Sequence, residues 1–247
     1  RLRLVYQPQF ALEKGLPMTS AEVLLRWTDP ELGEVPPGDF IEIAETTGLV
    51  TEIDRYVIDK TLASLARLAE QEASAVPLSI NLSARSFRDE RMPSFLTGRM
   101  KDYGIRPDQL QIEITEGTLL DQGSVEIGNI EKLREASLTF SVDDFGTGYS
   151  SLSYLKRLPL AELKIDKSFV DGVGGSDPND EAIARAILAM ADALGLVTVA
   201  EGVETDAQLE WLLSHGCERI QGFLCSRPLA FDDFVRALSR SPCRAER

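Results

Sequence analysis

Residues 4–26 read LVYQPQFALEKGLPMTSAEVLLR, and the fold turns on how the chain passes from the first half of this stretch to the second. Leu4–Gln7 and Met18–Arg26 are both β-rich runs. Between Gln9 and Met18 there is room for a turn around Lys14-Gly15, but not for the dozen or more residues that a parallel crossover needs. The two runs are therefore expected to form an antiparallel hairpin.

Further β-rich runs follow at Val76–Asn81, Leu110–Thr115, Leu138–Val142, Glu162–Ile165, Val197–Ala200 and Arg219–Phe223. Helical patterns separate most of them. Asp59–Gln71 carries Leu62, Leu65, Ala66 and Leu68 at helical spacing, and Val125–Ala136 and Glu181–Leu194 behave alike. Thr205–Gln208 is a capping-box signature opening a helix that Gly216 can close. Gly172–Asp180 reads as a flexible loop and Ser241–Arg247 as a frayed tail. Eight strands with helical crossovers in 247 residues predict a TIM-like (β/α)8 barrel with an antiparallel first strand. The whole of 1–247 is expected to be a single domain. It does not begin with Met, so a segment of a longer protein is expected.

Composition narrows the function. Hydrophobic residues make up 43%, enough for a large core. No apolar run approaches the ~20 residues of a membrane span, and the opening residues are strand-like rather than a signal peptide. The net charge of −14 repels nucleic acid, so no DNA partner is expected. The three cysteines, Cys217, Cys225 and Cys243, argue by their odd count against a disulfide framework and for a reducing, cytoplasmic setting. Cys225 reads as a packing residue. The single histidine, His215, makes imidazole catalysis and His-based zinc sites poor explanations.

The chemistry is expected where barrel strands end, because their C-terminal ends form the mouth of such a fold. There the sequence places Glu22, Asn81, Glu113, Asp143 with Asp144, Lys164 with Asp166, Glu201 and Gln221. Each alone has a plain explanation: a solvent-facing strand residue, a loop acid, a counter-ion. Gathered at one mouth, the carboxylates must raise one another's pKa or attract cations. Oxygen donors without Cys or His select Mg²⁺, Mn²⁺ or Ca²⁺ over zinc. Two such ions about 3.5–4 Å apart, sharing a carboxylate, suit phosphodiester cleavage. Arg26, at the end of its strand, is placed to grip a phosphate.

An ordered series of motifs then adds a family. Glu22-Val23-Leu24 with Leu25-Arg26-Trp27, Ile80-Asn81-Leu82-Ser83, Glu113-Ile114-Thr115-Glu116, Asp143 to Leu152 (DDFGTGYSSL), Leu163-Lys164-Ile165-Asp166, Ala200 to Thr205 (AEGVET) and Gln221-Gly222-Phe223 together resemble the EAL family of cyclic di-GMP phosphodiesterases. The likeness runs from Tyr6-Gln7-Pro8 to Arg227-Pro228-Leu229. It implies hydrolysis of cyclic di-GMP to linear pGpG with two Mg²⁺ or Mn²⁺ ions, Ca²⁺ binding without turnover. In the family's pattern Glu22, Asn81, Glu113, Asp143, Asp144 and Glu201 hold the metals, with Asp143 bridging. Lys164, Glu201 and Gln221 serve the attacking water. Gln7, Arg26, Asp166 and Glu204 match substrate contacts, and Glu116 matches the anchor of the loop that begins at Asp143. The resemblance further implies a homodimer, regulatory domains elsewhere in a longer signalling protein, and a domain facing the cytosol without membrane contact of its own. Val23 for the usual Ala, Ala161 for a common Asp and Glu218 for another leave the expected ligands intact. Two other readings stay open: a receptor that binds cyclic di-GMP without cleaving it, and a metal-assisted barrel enzyme stabilising an enediolate.

Overall fold

The computed structural model describes residues 1–71, 76–115, 124–146, 158–175, 178–239 and 243. Strands β1 (Leu2–Ala11) and β2 (Met18–Asp29) form the expected hairpin, antiparallel, with Gln7 opposite Glu22 and Gln9 opposite Ser20. A short β3 (Gly33–Val35) folds back on the end of β2. Then β4 (Leu78–Asn81), β5 (Leu110–Thr115), β6 (Thr139–Phe145), β7 (Leu160–Ile165) and β8 (Val197–Ala200) add in parallel, beginning on β2. The last strand, β9 (Arg219–Ile220), is parallel to β8 and antiparallel to β1. β1 touches both β2 and β9 and so closes an eight-stranded barrel, running against both neighbours. The (β/α)8 expectation with its reversed first strand is borne out.

The helices among the described residues are α1 (Pro37–Thr47), α2 (Val50–Glu70), α3 (Ala84–Phe87), α4 (Met92–Tyr103), α5 (Ser124–Glu135), α6 (Lys167–Val170), α7 (Pro178–Leu194), α8 (Asp206–Ser214) and α9 (Phe231–Leu238). In α2 the stripe Val57, Ile58, Leu62, Leu65 and Leu68 is buried against the barrel at helical spacing. The helix starts at Val50 rather than near Asp59, because Val50 and Ile53 extend the same stripe. The capping box is present: the Gln208 N–H donates to Thr205 Oγ1 at 3.2 Å and the Thr205 N–H to Gln208 Oε1 at 2.9 Å. Pro178–Asp180, expected in a loop, opens α7; proline suits a first helical turn, where its missing N–H has no partner to lose.

Alternation along the strands sorts the two layers. On β5, Ile112 and Ile114 are buried toward the helices while Glu113, between them, is buried toward the axis. Leu163 and Ile165 flank Lys164 in the same way on β7. The apolar core lies between barrel and helices, and the axis at the mouth is polar. Beyond β9 the chain returns to β1, where Tyr6 and Leu229 exchange two backbone hydrogen bonds of 2.8 Å. Phe234 of α9 stacks on Tyr6 at 5.2 Å between ring centroids.

The cysteines depart from the expectation of parity. Cys225 and Cys243 are joined in a disulfide, and Cys217 is the free, buried thiol. An odd count is equally a pair plus one, and the partners stand 18 positions apart in the sequence. The tail is therefore tied at Cys243, and cysteine parity lends no support to a reducing compartment. Among the described residues no helix is long and apolar enough to cross a membrane.

Candidate active site

Lys164 stands at the centre of the mouth, fully buried. Its Nζ lies 2.7 Å from Glu113 Oε2, 2.7 Å from Glu201 Oε1, 3.1 Å from Asp143 Oδ1 and 3.3 Å from Glu22 Oε2. Burial alone would drive an ammonium to lose its proton, but four carboxylates outweigh it and hold Lys164 well above the ordinary lysine value. The four come from β2, β5, β6 and the end of β8, separate stretches of chain that only the closed barrel unites.

The carboxylates differ in what surrounds them. Burial pushes Glu22 up, yet Lys164, Gln221 and Asn81 together bring it below the usual carboxylate value. Gln221 Nε2 donates to Glu22 Oε2 at 2.6 Å, and Asn81 Nδ2 to Glu22 Oε1 at 2.8 Å. The second bond commits Asn81's nitrogen and leaves its carbonyl oxygen as the ligand atom it has to offer. Glu113 is raised well above its ordinary value, first by burial and then by the charge of Glu22. Glu201 is pushed up to about 8, mainly by burial, with Asp143 and Glu22 adding to it against Lys164. Asp144 is raised by burial and by neighbouring Asp143 and Asp166.

Local backbone features set these directions. Successive residues of a regular strand point to opposite faces, so Asp143 and Asp144 should not share a site. The pairing of β6 with β7 shifts register between Val142 and Phe145, and Asp144 takes a left-handed φ of 54°. That irregularity brings both carboxylates to the mouth, with the Asp144 N–H donating to Asp143 Oδ1 at 3.1 Å. Glu201 extends β8 by donating its N–H to Ile165 O at 3.0 Å, and Gln221 is fixed by its N–H to Ala200 O at 2.8 Å. Gly222 is needed beside it, since a Cβ there would lie 2.1 Å from Val203 O. Behind Asn81, buried Asp54 of α2 accepts from Ser83 N at 3.1 Å, Ser83 Oγ at 2.6 Å and Ser86 Oγ at 2.6 Å, anchoring the turn into α3.

Two groups of oxygen donors result, each with its atoms within 4.8 Å of one another: Glu22, Glu113 and Asp143, and Asp143, Asp144 and Glu201. Asp143 belongs to both. Glu113 Oε1 is buried with no hydrogen-bond partner, an unmet demand that a cation satisfies. All of these are hard oxygen donors, so the residues present fit divalent ions of the Mg²⁺ or Mn²⁺ type.

The remaining expected residues are placed as follows. Gln7 is buried on β1 opposite Glu22. Arg26 is half-buried near the end of β2, its Nη1 donating to Leu25 O at 2.9 Å, and burial lowers its pKa. Asp166 caps α6 by accepting from the Ser168 N–H at 3.0 Å. Glu204 pairs with Lys167 Nζ at 3.0 Å, outside the carboxylate groups. Glu116 and the stretch of its loop beyond Gly146 lie outside the described residues. The sequence reading missed Asp54 and Gln9. Asp54 could have been found as an acid inside the apolar stripe of α2, and Gln9 as the residue sharing Gln7's face by the period of two.

A (β/α)8 barrel whose mouth gathers hard oxygen donors in two adjoining groups around a buried lysine is one whose mouth could hold divalent metal ions. Residues 1–228 match the family model for the EAL domain, and the chain belongs to that family. It is 39% identical over 242 residues to the signaling protein YkoW of Bacillus subtilis, covering 98% of this chain and 30% of YkoW. It is 38% identical over 239 residues to the bifunctional diguanylate cyclase/cyclic di-GMP phosphodiesterase MucR of Pseudomonas aeruginosa, covering 97% of this chain and 35% of MucR. The chain thus spans about a third of the length of these curated relatives. The solved structure of the PaMucR phosphodiesterase in its c-di-GMP complex superposes with a TM-score of 0.88 at 38% identity, covering 94% of either chain.

Proposed function

We propose that this chain hydrolyses cyclic di-GMP to linear pGpG in a reaction that depends on two divalent metal ions. The observation that carries the reading is the sharing of Asp143 between two adjoining donor groups, with Lys164 against both. Family membership and the relatives named as cyclic di-GMP phosphodiesterases support the substrate. Glu22, Asn81, Glu113 and Asp143 would hold one ion, and Asp143, Asp144 and Glu201 the other. Bound there, Mg²⁺ or Mn²⁺ supplies acidification of a water and neutralisation of phosphate charge.

The chain's own groups do the rest. Arg26 holds a phosphate oxygen through its guanidinium, with Gln7 nearby on β1. Glu201, ionised once a cation is bound beside it, can accept a water proton at its carboxylate and pass it on. Lys164 Nζ, permanently charged, steadies the negative charge that grows as the P–O bond breaks. Gln221 holds Glu22 in register. Asp166 and Glu204 would meet the substrate at the rim, each by exchanging a present local partner. On this reading the domain is one module of a longer, regulated signalling protein, pairs as a homodimer, and faces the cytosol, where a guanine dinucleotide messenger is available.

Incubation with cyclic di-GMP and Mg²⁺, followed by chromatography, tests the reading by the appearance of pGpG. Dinucleotide that binds in Ca²⁺ without turnover in Mg²⁺ or Mn²⁺ identifies a receptor instead.

A further inference from the structure

The hydrogen bonds on Glu22 continue away from the mouth in one line. Gln221 Nε2 donates to Glu22 Oε2 at 2.6 Å, while Gln221 Oε1 accepts from Gln9 Nε2 at 2.8 Å. Gln9 Oε1 in turn accepts from Ser20 Oγ at 2.6 Å. Ser20, Gln9, Gln221 and Glu22 are all buried, Gln9 to 1% exposure, so bulk solvent does not partner them. An amide is nearly symmetrical in shape and opposite in charge at its two ends. Turned over, Gln221 would face the Glu22 carboxylate with a carbonyl oxygen, acceptor against acceptor. The acceptor-only Glu22 carboxylate sets the direction, and Gln9 reinforces it from the far side by offering an N–H to Gln221 Oε1, with the Ser20 hydroxyl, able to donate or accept, meeting Gln9 Oε1. The antiparallel hairpin makes this possible, since it sets Gln9 opposite Ser20, two residues along from the pair Gln7 and Glu22, on the strand next to β9.

We propose that Gln9 is a positioning residue of the metal site, acting through Gln221 to keep an N–H on Glu22 and so hold that carboxylate ready for a divalent cation. This role presupposes the metal-dependent reading above. It goes beyond it by extending the machinery to a residue that touches neither ion nor substrate.

The test is the Mn²⁺ affinity of the folded, metal-free protein, read from the spin-resonance signal of free Mn²⁺, for wild type, Gln9→Leu, Gln221→Leu and the double variant. Gln9→Leu should raise the Mn²⁺ Kd about tenfold, the low end for losing a partner of a metal ligand. In the Gln221→Leu background the same change should shift Kd by less than about twofold, because no amide remains to be oriented. At saturating Mn²⁺, turnover of Gln9→Leu should recover toward wild type. A merely structural glutamine would weaken binding equally in both backgrounds, and that result, or an unchanged Kd in folded Gln9→Leu, overturns the role. Should Gln9→Leu not fold, Ser20→Ala is read in its place. It should raise Kd about twofold to fivefold only where Gln221 is retained, and a loss that persists without Gln221 overturns the role. Wild-type protein that binds no Mn²⁺ overturns the metal reading together with this role, whereas wild-type binding with an unaffected Gln9→Leu overturns the role alone.

Discussion

Replacing Lys164 with Met removes the cation that four carboxylates share and keeps the side chain's length. In the absence of divalent ions, Glu22, Glu113, Asp143 and Glu201 then face one another with no neutralising charge within the distances of 2.7 to 3.3 Å that Nζ now spans. Breaking a buried ion pair by removing one partner costs about 3–5 kcal/mol. The carboxylates can relieve this by taking up protons, and two already lean that way: Glu113 is raised by burial, and Glu201 to about 8. A carboxyl raised in the folded state favours the fold fully below its ordinary value of 4.5. That advantage is lost as the pH climbs through about 8. Removing Lys164, which lowers Glu201, lets that carboxyl rise further, so the deficit of Lys164→Met should be smallest near about pH 5.5 and grow through about pH 8.5. In a domain of this length each kcal/mol moves Tm by roughly 2–4 °C, so the expected loss in EDTA at the higher pH is about 6–20 °C.

Mg²⁺ brings positive charge to the same oxygens and should restore most of that loss, raising the variant's Tm more than the wild type's. Dinucleotide binding should survive, while pGpG formation at saturating Mg²⁺ falls by about 10²–10³ for want of a charge-stabilising group. Thermal unfolding followed by far-ultraviolet circular dichroism, in EDTA and in Mg²⁺ at both pH values, gives the measurement. A variant as stable as wild type in EDTA at about pH 8.5 would refute the premise that Lys164 and the ions answer the same carboxylates. So would an equal response of the two proteins to Mg²⁺.

Glu22→Ala should abolish pGpG formation while the circular dichroism of the barrel stays intact, and unchanged hydrolysis would remove Glu22 from the site. Mg²⁺ binding near pH 7 should release protons from Glu113 and Glu201, since both are raised and ligands must ionise. Calorimetric heats in buffers of different ionisation enthalpy should then differ, and identical heats would contradict it. Asp54→Ala leaves three donors, Ser83 N, Ser83 Oγ and Ser86 Oγ, without their carboxylate. Stability should fall by about 2–4 kcal/mol, read as a lower urea midpoint, and an unchanged midpoint would show the turn after Asn81 anchored otherwise.

The barrel and its reversed strand were legible because they follow from spacing: the eight residues between Gln9 and Met18 cannot hold a crossover, whatever their identity. The mouth was legible because polar residues stood where strands of apolar alternation ended. What escaped was set by contacts distant in sequence. Asp54 lies 29 residues from Ser83, Gln9 lies 212 residues from Gln221, and no local pattern joins such partners. The disulfide escaped for a related reason, as pairing depends on where the tail goes after α9. Asp166 and Glu204 show the reverse case: motif position marks them for substrate, while their present partners, the α6 N-terminus and Lys167, are within reach of any acid placed there.

Barrel interiors of this kind are ordinarily filled by branched apolar side chains, and this one departs from that rule where it matters. The apolar strand residues Ile112, Ile114, Leu163 and Ile165 face the helices and are all buried, so the outer layer supplies the hydrophobic burial that folding needs. The axis is thereby free to carry a lysine, four carboxylates and a file of amides that would be intolerable in a single-layered core. Such an axis stays in place only if each polar atom has a partner, and Glu113 Oε1 has none. The same unmet acceptor that lowers the stability of the metal-free barrel raises its affinity for a cation. A neutral donor placed at Val142 would not fill the gap, because Val142 faces the helices while its neighbours Ser141 and Asp143 face the axis.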